Sequence, residues 1–519
     1  MKHTPVMAAS PSAFSPQDEF LRTEHLQKDL KGRSISGGVI TLTAQGGKFA
    51  LNILSTAILA RLLLPADFGL VAMITTITGF LSVFKDAGLS MATVQREKIS
   101  HAQVSNLFWL NAGISVVLSL LVLAAAPLIA WLYQTPQLTI LTMGLSITFL
   151  LDGLAIQHQA ILSRQMRFKD LARIDIGSML MGLLVSVSMA SAGWGAWSLV
   201  GGSVGTSLAG LCLTWGLSRW RPQMPLRSTG TRSLVSFGAN LTAANCFTYF
   251  TRNADTFLIG RACGAEPLGL YTRATMLMRR PLDQLLGPIT AVVMPMLSRL
   301  QNDPVRYRRT FLYLYEAIAL IGLPITGLVL ALARPIVLVL LGPKWEDAAV
   351  IFMGFSLAMP YAPLACAACW LFESQGRGRE MLTSNSILSV LAIASFLIGI
   401  PWGALGVAIS FSVSGMLIRL PILFYIAGGT GPVTRKDLWV SFAKNIVSWV
   451  VVFAVARGAL YLCAGFAPIL QLAICGTAGM AAAIGFALIY PPQRSVALRL
   501  WETLRAVIAA RSLKAADKE

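Results

Sequence analysis

Apolar residues along this chain are grouped into long runs that recur from residue 35 to residue 490. A helix needs about 20 predominantly apolar residues to cross a bilayer, and by this rule the chain contains about 14 crossings. Short breaks separate the runs, for example at Pro65, at Gly264 and over 428–436. The pattern predicts an all-α polytopic membrane protein with about 14 transmembrane helices.

Composition excludes a soluble globular protein. Hydrophobic residues make up 55% of the chain, and the mean hydropathy is +0.67. No single core could hide that much apolar surface from water.

The basic residues predict the orientation of the chain. Breaks rich in Arg and Lys alternate with breaks that contain neither, apart from Lys344. Because positive residues favour the cytoplasmic side, the basic breaks are expected there, and an even number of crossings places both termini there too. The net charge of +19 therefore reflects topology. We expect no nucleic-acid partner, since the positive residues are spread over short loops and two tails.

Both ends of the chain are predicted to be cytoplasmic tails. Residues 1–33 are polar and lack the apolar core of a signal peptide, so a flexible N-terminal tail is expected. Residues 491–519 follow two prolines and combine Val496, Leu500 and Trp501 with several basic residues. This composition predicts an amphipathic helix on the cytoplasmic face of the membrane.

The chain matches itself at an offset of 200 residues. Residues 56–61 align with 256–261, and Gly69 aligns with Gly269. Since this offset spans six predicted helices, the two halves would have parallel orientation, as in transporters with a cavity between two repeats. We expect six-helix bundles at 34–220 and 232–428 around a central cavity, a linker at 221–231, and an additional helix pair at 433–490. A duplicated scaffold without transport is the alternative.

Charged residues inside the predicted crossings are candidates for function, because each costs at least roughly 2.5–3.5 kcal/mol to insert. Most of them lie in the first, second, seventh and eighth predicted helices, which are equivalent pairs in the two halves. A cavity lined by these helices would be cationic and would suit an anionic group such as a phosphate or diphosphate. The predicted binding residues are Lys48, Arg252, Arg279 and Arg280, and the accompanying charges are Lys85, Asp86, Asp255 and Asp283.

A structural explanation of these charges is equally open. Lys85 and Asp86 are neighbours, and Arg252 precedes Asp255 by almost one turn, so each pair could neutralise itself inside a bundle. Lys48, Arg279 and Arg280 have less obvious local partners.

No metal or cofactor is expected. The chain has seven cysteines and four histidines. Cys366 and Cys369 form a CxxC motif, but it lies within an apolar run, where cysteine usually serves as a small packing residue.

Several motifs resemble the polysaccharide transporter family of the multidrug/oligosaccharidyl-lipid/polysaccharide exporter superfamily, in particular its Wzx-type flippases of the colanic acid and exopolysaccharide exporter branch. The motifs contain Arg61 and Gly69 in the first half of the chain, and Arg261 and Gly269 at the equivalent positions of the second half. Arg61 and Arg261 are expected near the outer ends of their helices, where snorkelling to the interface is the simpler explanation.

The resemblance implies a non-enzymatic protein of the bacterial inner membrane that moves undecaprenyl-diphosphate-linked oligosaccharide from the cytoplasmic to the periplasmic leaflet. It implies membrane lipid as a partner, with a polysaccharide polymerase and a chain-length regulator as functional neighbours. The pathways it points to are exopolysaccharide, capsule or lipopolysaccharide assembly.

Two other functions remain open. A polymerase or ligase would use similar lipids, but the predicted outer loops are only a few residues long. A drug or cation exporter of the same superfamily would require an unpaired carboxylate, for which Asp152, Asp175 and Asp255 are candidates.

Overall fold

The computed structural model describes residues 30–86, 88–96, 99–225, 249–250 and 252–516, and every regular element in these residues is helical. The predicted N-terminal tail up to residue 29 and the predicted linker from residue 226 lie outside the described residues. By its internal contacts the chain divides into two compact units, residues 1–253 and 254–519.

Unit 1 consists of seven helices before the predicted linker. They are α1 (Leu30–Leu62), α2 (Pro65–Asp86), α3 (Leu89–Gln95), α4 (His101–Tyr133), α5 (Leu138–Arg164), α6 (Phe168–Ser191) and α7 (Ala196–Ser218). A further helix, α8, covers residues 252–263, and the chain passes from unit 1 to unit 2 within it.

Unit 2 continues with eleven more α-helices. They are α9 (Ala265–Arg299), α10 (Pro304–Ala331), α11 (Ala333–Leu340), α12 (Glu346–Ser356), α13 (Tyr361–Ser374), α14 (Gly378–Gly399), α15 (Gly403–Ser414), α16 (Leu420–Ala427), α17 (Arg435–Leu462), α18 (Pro468–Ile489) and α19 (Pro491–Ala516). A π-helix, Gly415–Arg419, joins α15 to α16.

Helix ends follow ordinary capping chemistry. Ser100 and Gln103 form a reciprocal capping box at the start of α4. Thr434 and Asp437 do the same at α17. These side chains satisfy backbone N–H groups that have no partner within the helix. The predicted breaks before α4 and α17 therefore end at helix starts that have a side-chain cap.

Many of the helices are long and apolar enough to cross a membrane. The described residues contain nine such segments, or ten if α12 and α13 count as one bent crossing. One segment, Gly378–Ala427, has 50 residues, which is long enough for two crossings at about 20 residues each. The prediction of an all-helical polytopic protein is confirmed at this level.

Small residues hold α6 against α7 in unit 1. A Cβ atom added at Gly182 would overlap the hydroxyl of Thr206, and one added at Gly202 would overlap the hydroxyl of Ser186. The two backbones approach this closely because glycine has no side chain, which is the usual means of packing helices in a membrane.

A turn of the same geometry occurs once in each unit, at positions 210 residues apart. Met166 and Gly376 both adopt the left-handed conformation, with φ of 54° and 68°. Arg167 and Arg377 follow them and precede α6 and α14 with almost identical backbone angles. The local structure thus repeats as well as the sequence.

The arginine of each turn makes the same set of bonds. It pairs with a carboxylate three residues on and donates to a carbonyl fifty residues on, at the end of another helix. The partners are Asp170 and Leu217 for Arg167, and Glu380 and Ala427 for Arg377. We call these two sets of contacts the arginine clamps.

Helices of unit 2 are interrupted where those of unit 1 are continuous. Leu332 separates α10 from α11, α12 and α13 meet at a bend of 41°, and the π-helix divides α15 from α16. By order along the chain, the corresponding helices of unit 1 are α4, α5 and α7, each of which is a single helix.

The C-terminal helix α19 covers the stretch predicted to be amphipathic, and it is anchored to unit 2. Gln493 donates from Nε2 to Oδ1 of Asn445 in α17 at 3.0 Å, and Val496 is buried. A cavity of about 430 Å³, lined by apolar residues of α10, α17 and α18, lies beside this junction.

Candidate functional site

Asp255 is the most buried carboxylate among the predicted site residues. It lies on α8, and only 3% of its side chain is exposed. The Tyr271 hydroxyl donates to Oδ2 at 2.8 Å, and the Thr256 backbone N–H donates to Oδ1 at 2.8 Å. Because a buried polar group is tolerated only when it is hydrogen-bonded, these donors are what satisfy the Asp255 carboxyl group inside the protein.

The tight connection between α8 and α9 brings these groups together. Gly264 has φ of 88° and ψ of −172°, a conformation that other residues rarely adopt. The chain therefore reverses within one residue, and Tyr271 on α9 faces Asp255 on α8. The Tyr271 ring is fully buried and packs edge-on against Phe355, with ring centroids 5.1 Å apart.

Arg279 completes this cluster from one side. Its Nη2 lies 3.4 Å from Oδ2 of Asp255, and 42% of the arginine side chain is exposed. The structure therefore combines a buried carboxylate with a partly exposed arginine side chain. Arg280 and Asp283, on the same helix, are both exposed.

In the described residues of unit 1, two ion pairs join different helices. Lys48 on α1 contacts Asp175 on α6, and Lys85 on α2 contacts Asp152 on α5, each with N···O of 2.7 Å. The partner of Lys48 is 127 residues away in sequence. A pair of this separation cannot be deduced from local spacing.

The local pairing considered for Lys85 and Asp86 is not formed. Asp86 instead accepts from the backbone N–H and the hydroxyl of Ser90, at 2.9 and 2.5 Å. Consecutive residues on a helix point in different directions, so Lys85 reaches a neighbouring helix and Asp86 supports the start of α3. Asp255 on α8 likewise has an ion-pair partner on another helix, Arg279 of α9.

The remaining predicted residues occupy positions of two kinds. Arg61, Arg252 and Arg261 are exposed, whereas Gly69 and Gly269 are buried. Arg61 and Arg261 thus have the same exposure in the two halves, as do the two glycines.

Sequence reasoning missed a buried arginine in the π-helix. Arg419 is 5% exposed; its Nη2 donates to the Phe411 carbonyl at 2.7 Å, and its guanidinium lies 4.0 Å from the Phe411 ring centroid. The signal was a single arginine within an otherwise apolar run. Tyr271 and Thr256 were missed as partners of Asp255 because they are uncharged.

Comparison with known families and proteins provides an independent test. A family model described as "Polysaccharide biosynthesis protein" matches residues 58–350. The chain is similar to the lipopolysaccharide biosynthesis protein WzxC of Escherichia coli (strain K12), with 24% identity over 439 residues that cover 82% of this chain and 88% of that protein. It is also similar to the succinoglycan biosynthesis transport protein ExoT of Rhizobium meliloti (strain 1021), with 26% identity over 316 residues that cover 61% of this chain and 63% of that protein.

The fold is similar to that of a solved membrane protein. A structure of the lipid II flippase MurJ, in an inward closed conformation, matches with a TM-score of 0.66 and 14% identity, covering 88% of this chain and 98% of that one. At this identity the likeness concerns the fold, and it agrees with an all-helical, multi-pass membrane protein.

Proposed function

Since this chain belongs to the polysaccharide biosynthesis protein family whose model covers residues 58–350, we propose that it is a flippase for lipid-linked oligosaccharides. It carries repeat units across the bacterial inner membrane for the assembly of exopolysaccharide, capsule or lipopolysaccharide. It is a transporter, and it performs no bond-making chemistry.

The observation that carries this proposal is the excess of arginine on α9. Arg273, Arg279 and Arg280 lie within two turns of one another, whereas the acidic residues of the helix are Glu266 and Asp283. Intramembrane cations persist where they face protein or a watery cavity. A guanidinium in such a place binds phosphate oxygens through two parallel hydrogen bonds.

The substrate that fits best is an undecaprenyl-diphosphate-linked oligosaccharide. Its diphosphate would pair with Arg279 and Arg280, and Lys48 and Arg252 would provide further positive charge. The polyprenyl tail would stay in the bilayer. Because Lys48 already contacts Asp175 at 2.7 Å, substrate would share this lysine with the carboxylate.

The architecture proposed for this activity has about 14 crossings. Six-helix bundles at 34–220 and 232–428 enclose the cavity, and the pair at 433–490 lies outside them. Rocking of one bundle against the other would expose the glycan alternately inside and outside. The linker 221–231 and the tails 1–33 and 491–519 are cytoplasmic.

A drug or cation exporter is the alternative within the same superfamily. It would use a carboxylate that is free to exchange protons for a cationic substrate. The three candidates are Asp152, Asp175 and Asp255, and each forms an ion pair with a lysine or arginine. This pairing favours the anionic substrate.

A polymerase or ligase is the second alternative. Its acceptor and donor would meet outside the membrane, and the connection between α8 and α9 leaves only Gly264 between two helices. A polymerase and a chain-length regulator are instead proposed as separate partners.

Mass spectrometry of lipid-linked oligosaccharides, combined with a membrane-impermeant glycan label, tests the proposal. A deletion strain of the source bacterium is compared with the same strain carrying the gene. Complete repeat units that accumulate and face the cytoplasm support a flippase. Unpolymerised units outside the cell point to an enzyme, and unchanged lipids point to an exporter of other solutes.

A further inference from the structure

We infer that Tyr271 is a positioning residue for Arg279 and that it acts through Asp255. The inference rests on the proposed function, in which Arg279 binds the diphosphate. Neither Tyr271 nor Thr256 carries charge, and neither is among the residues proposed to contact substrate.

The Tyr271 hydroxyl has one evident task. The side chain is fully buried, and its hydroxyl donates to Asp255 Oδ2, the same oxygen that Arg279 approaches. A buried hydroxyl without a partner is unfavourable, so the bond fixes both the tyrosine and the carboxylate. Phe355 holds the ring edge-on and limits its movement.

Thr256 fixes the other oxygen of the carboxylate. Its backbone N–H and its hydroxyl both donate to Asp255 Oδ1, at 2.8 and 3.3 Å. With donors on both oxygens, the carboxylate plane is set before any ligand arrives. Arg279 is therefore attracted to a fixed acceptor, and its guanidinium is held in a defined direction.

Arg280 provides the contrast within the same helix. It is exposed, and in the described part of the chain no carboxylate forms an ion pair with it. Loss of the Tyr271 hydroxyl should consequently weaken ligand binding through Arg279 and leave the contribution of Arg280 unchanged.

The test measures binding of undecaprenyl diphosphate to the full-length protein in phosphatidylcholine nanodiscs. The variants are Tyr271→Phe, Arg279→Gln and their combination. Tyr307→Phe is the matched control, because Tyr307 is also fully buried and its hydroxyl is 2.6 Å from the Ser374 hydroxyl, away from Asp255. The unfolding temperature of each variant is measured in the same nanodiscs.

We expect Tyr271→Phe to raise the Kd about tenfold, equivalent to about 1.4 kcal/mol, and Tyr307→Phe to leave it unchanged. Both should lower the unfolding temperature by similar amounts. Adding Tyr271→Phe to Arg279→Gln should have no further effect, because the tyrosine acts through the arginine.

Three results would contradict the inference. The first is a wild-type Kd for Tyr271→Phe when Arg279→Gln binds weakly. The second is a double variant in which the effects of the two changes on Kd multiply. The third is a loss of binding in Tyr307→Phe equal to that in Tyr271→Phe. A wild-type Kd for Arg279→Gln would instead overturn the proposed binding role of Arg279 itself, so the two failures are distinguishable.

Discussion

The two units use charge in different ways. In unit 1, Lys48 and Lys85 each face one aspartate at 2.7 Å, and both members of each pair are partly exposed. In unit 2, Asp255 is buried beneath hydrogen-bond donors, while Arg279 remains partly exposed at 3.4 Å. The unit 1 pairs connect helices and neutralise themselves. In the unit 2 cluster the two charges differ, with a buried carboxylate and a partly exposed arginine side chain.

The same contrast holds for the arginine clamps. The Arg167 side chain is 32% exposed, and that of Arg377 is 10% exposed. Arg377 also donates to a second carbonyl, that of Ile426, at 3.2 Å. The arginine is therefore more deeply buried in unit 2, although its partner Glu380 is more exposed than Asp170, at 36% against 14%. Because Arg377 is the more buried arginine and has the additional carbonyl partner, its removal should have the larger effect.

Removal of Asp255 should give the largest effect. Asp255→Ala leaves the fully buried Tyr271 hydroxyl without its acceptor, so the free energy of unfolding should fall by about 2–3 kcal/mol. Asp175→Ala in unit 1 should lower it by about 1 kcal/mol or less, because that pair is partly exposed. Thermal unfolding followed by size-exclusion chromatography measures both, and equal shifts would remove the distinction between the units.

Neutralising the arginines of α9 should affect transport more than folding. Arg279→Gln and Arg280→Gln should each lower transport by about 10- to 100-fold, the range expected for a lost charged hydrogen bond. Surface polysaccharide of the complemented deletion strain is the measurement. Arg457→Gln is the control, since Arg457 is an exposed arginine of α17; wild-type transport in the combined Arg279 and Arg280 variant would exclude the binding site.

The lysine pairs of unit 1 should respond differently. Lys85→Met leaves Asp152 unpaired and removes a contact with the Phe149 ring, and it should lower the free energy of unfolding by about 1–2 kcal/mol. Adding Asp152→Asn should restore most of this stability, because a neutral pair avoids the unpaired charge. Polysaccharide export by the stable double variant then decides the role: recovery indicates a structural pair, and continued loss indicates that the pair couples an ion to transport.

The arginine clamps should give the smallest difference in stability between the two units. Arg377→Ala should lower the free energy of unfolding by about 1–2 kcal/mol. Arg167→Ala should lower it by about half as much, because the Arg167 side chain is more exposed and Asp170 keeps Arg173 as a partner. Chemical or thermal unfolding of the two purified variants compares them directly. A larger loss for Arg167 would contradict the burial argument.

The sequence was a good guide to helix ends and a poor guide to charge partners. The breaks at Pro65, Gly264 and Arg299 all coincide with helix boundaries, because proline, glycine and clustered charge act locally. The pairs of Lys48 and Lys85 bridge 127 and 67 residues, and only packing determines such contacts. The family and the all-helical membrane fold were predicted correctly, whereas the full helix count and the cavity remain predictions.

The interruptions in unit 2 were also outside the reach of hydropathy. Leu332 and residues 357–360 lie within largely apolar sequence, so a change of backbone direction leaves no polar break. Arg419 was missed for a related reason, since one arginine in a long apolar run does not end a predicted helix.

The drift of the repeat has a historical meaning. Gly69 and Gly269 are 200 residues apart, whereas Arg167 and Arg377 are 210 apart. The second half is therefore ten residues longer over this interval, and the interval contains the Leu332 break and the 41° bend. A gene that doubled and whose copies then changed in length, by gain in one or loss in the other, would leave this trace. In that account the difference in length lies within helices, while both turns kept the same arginine.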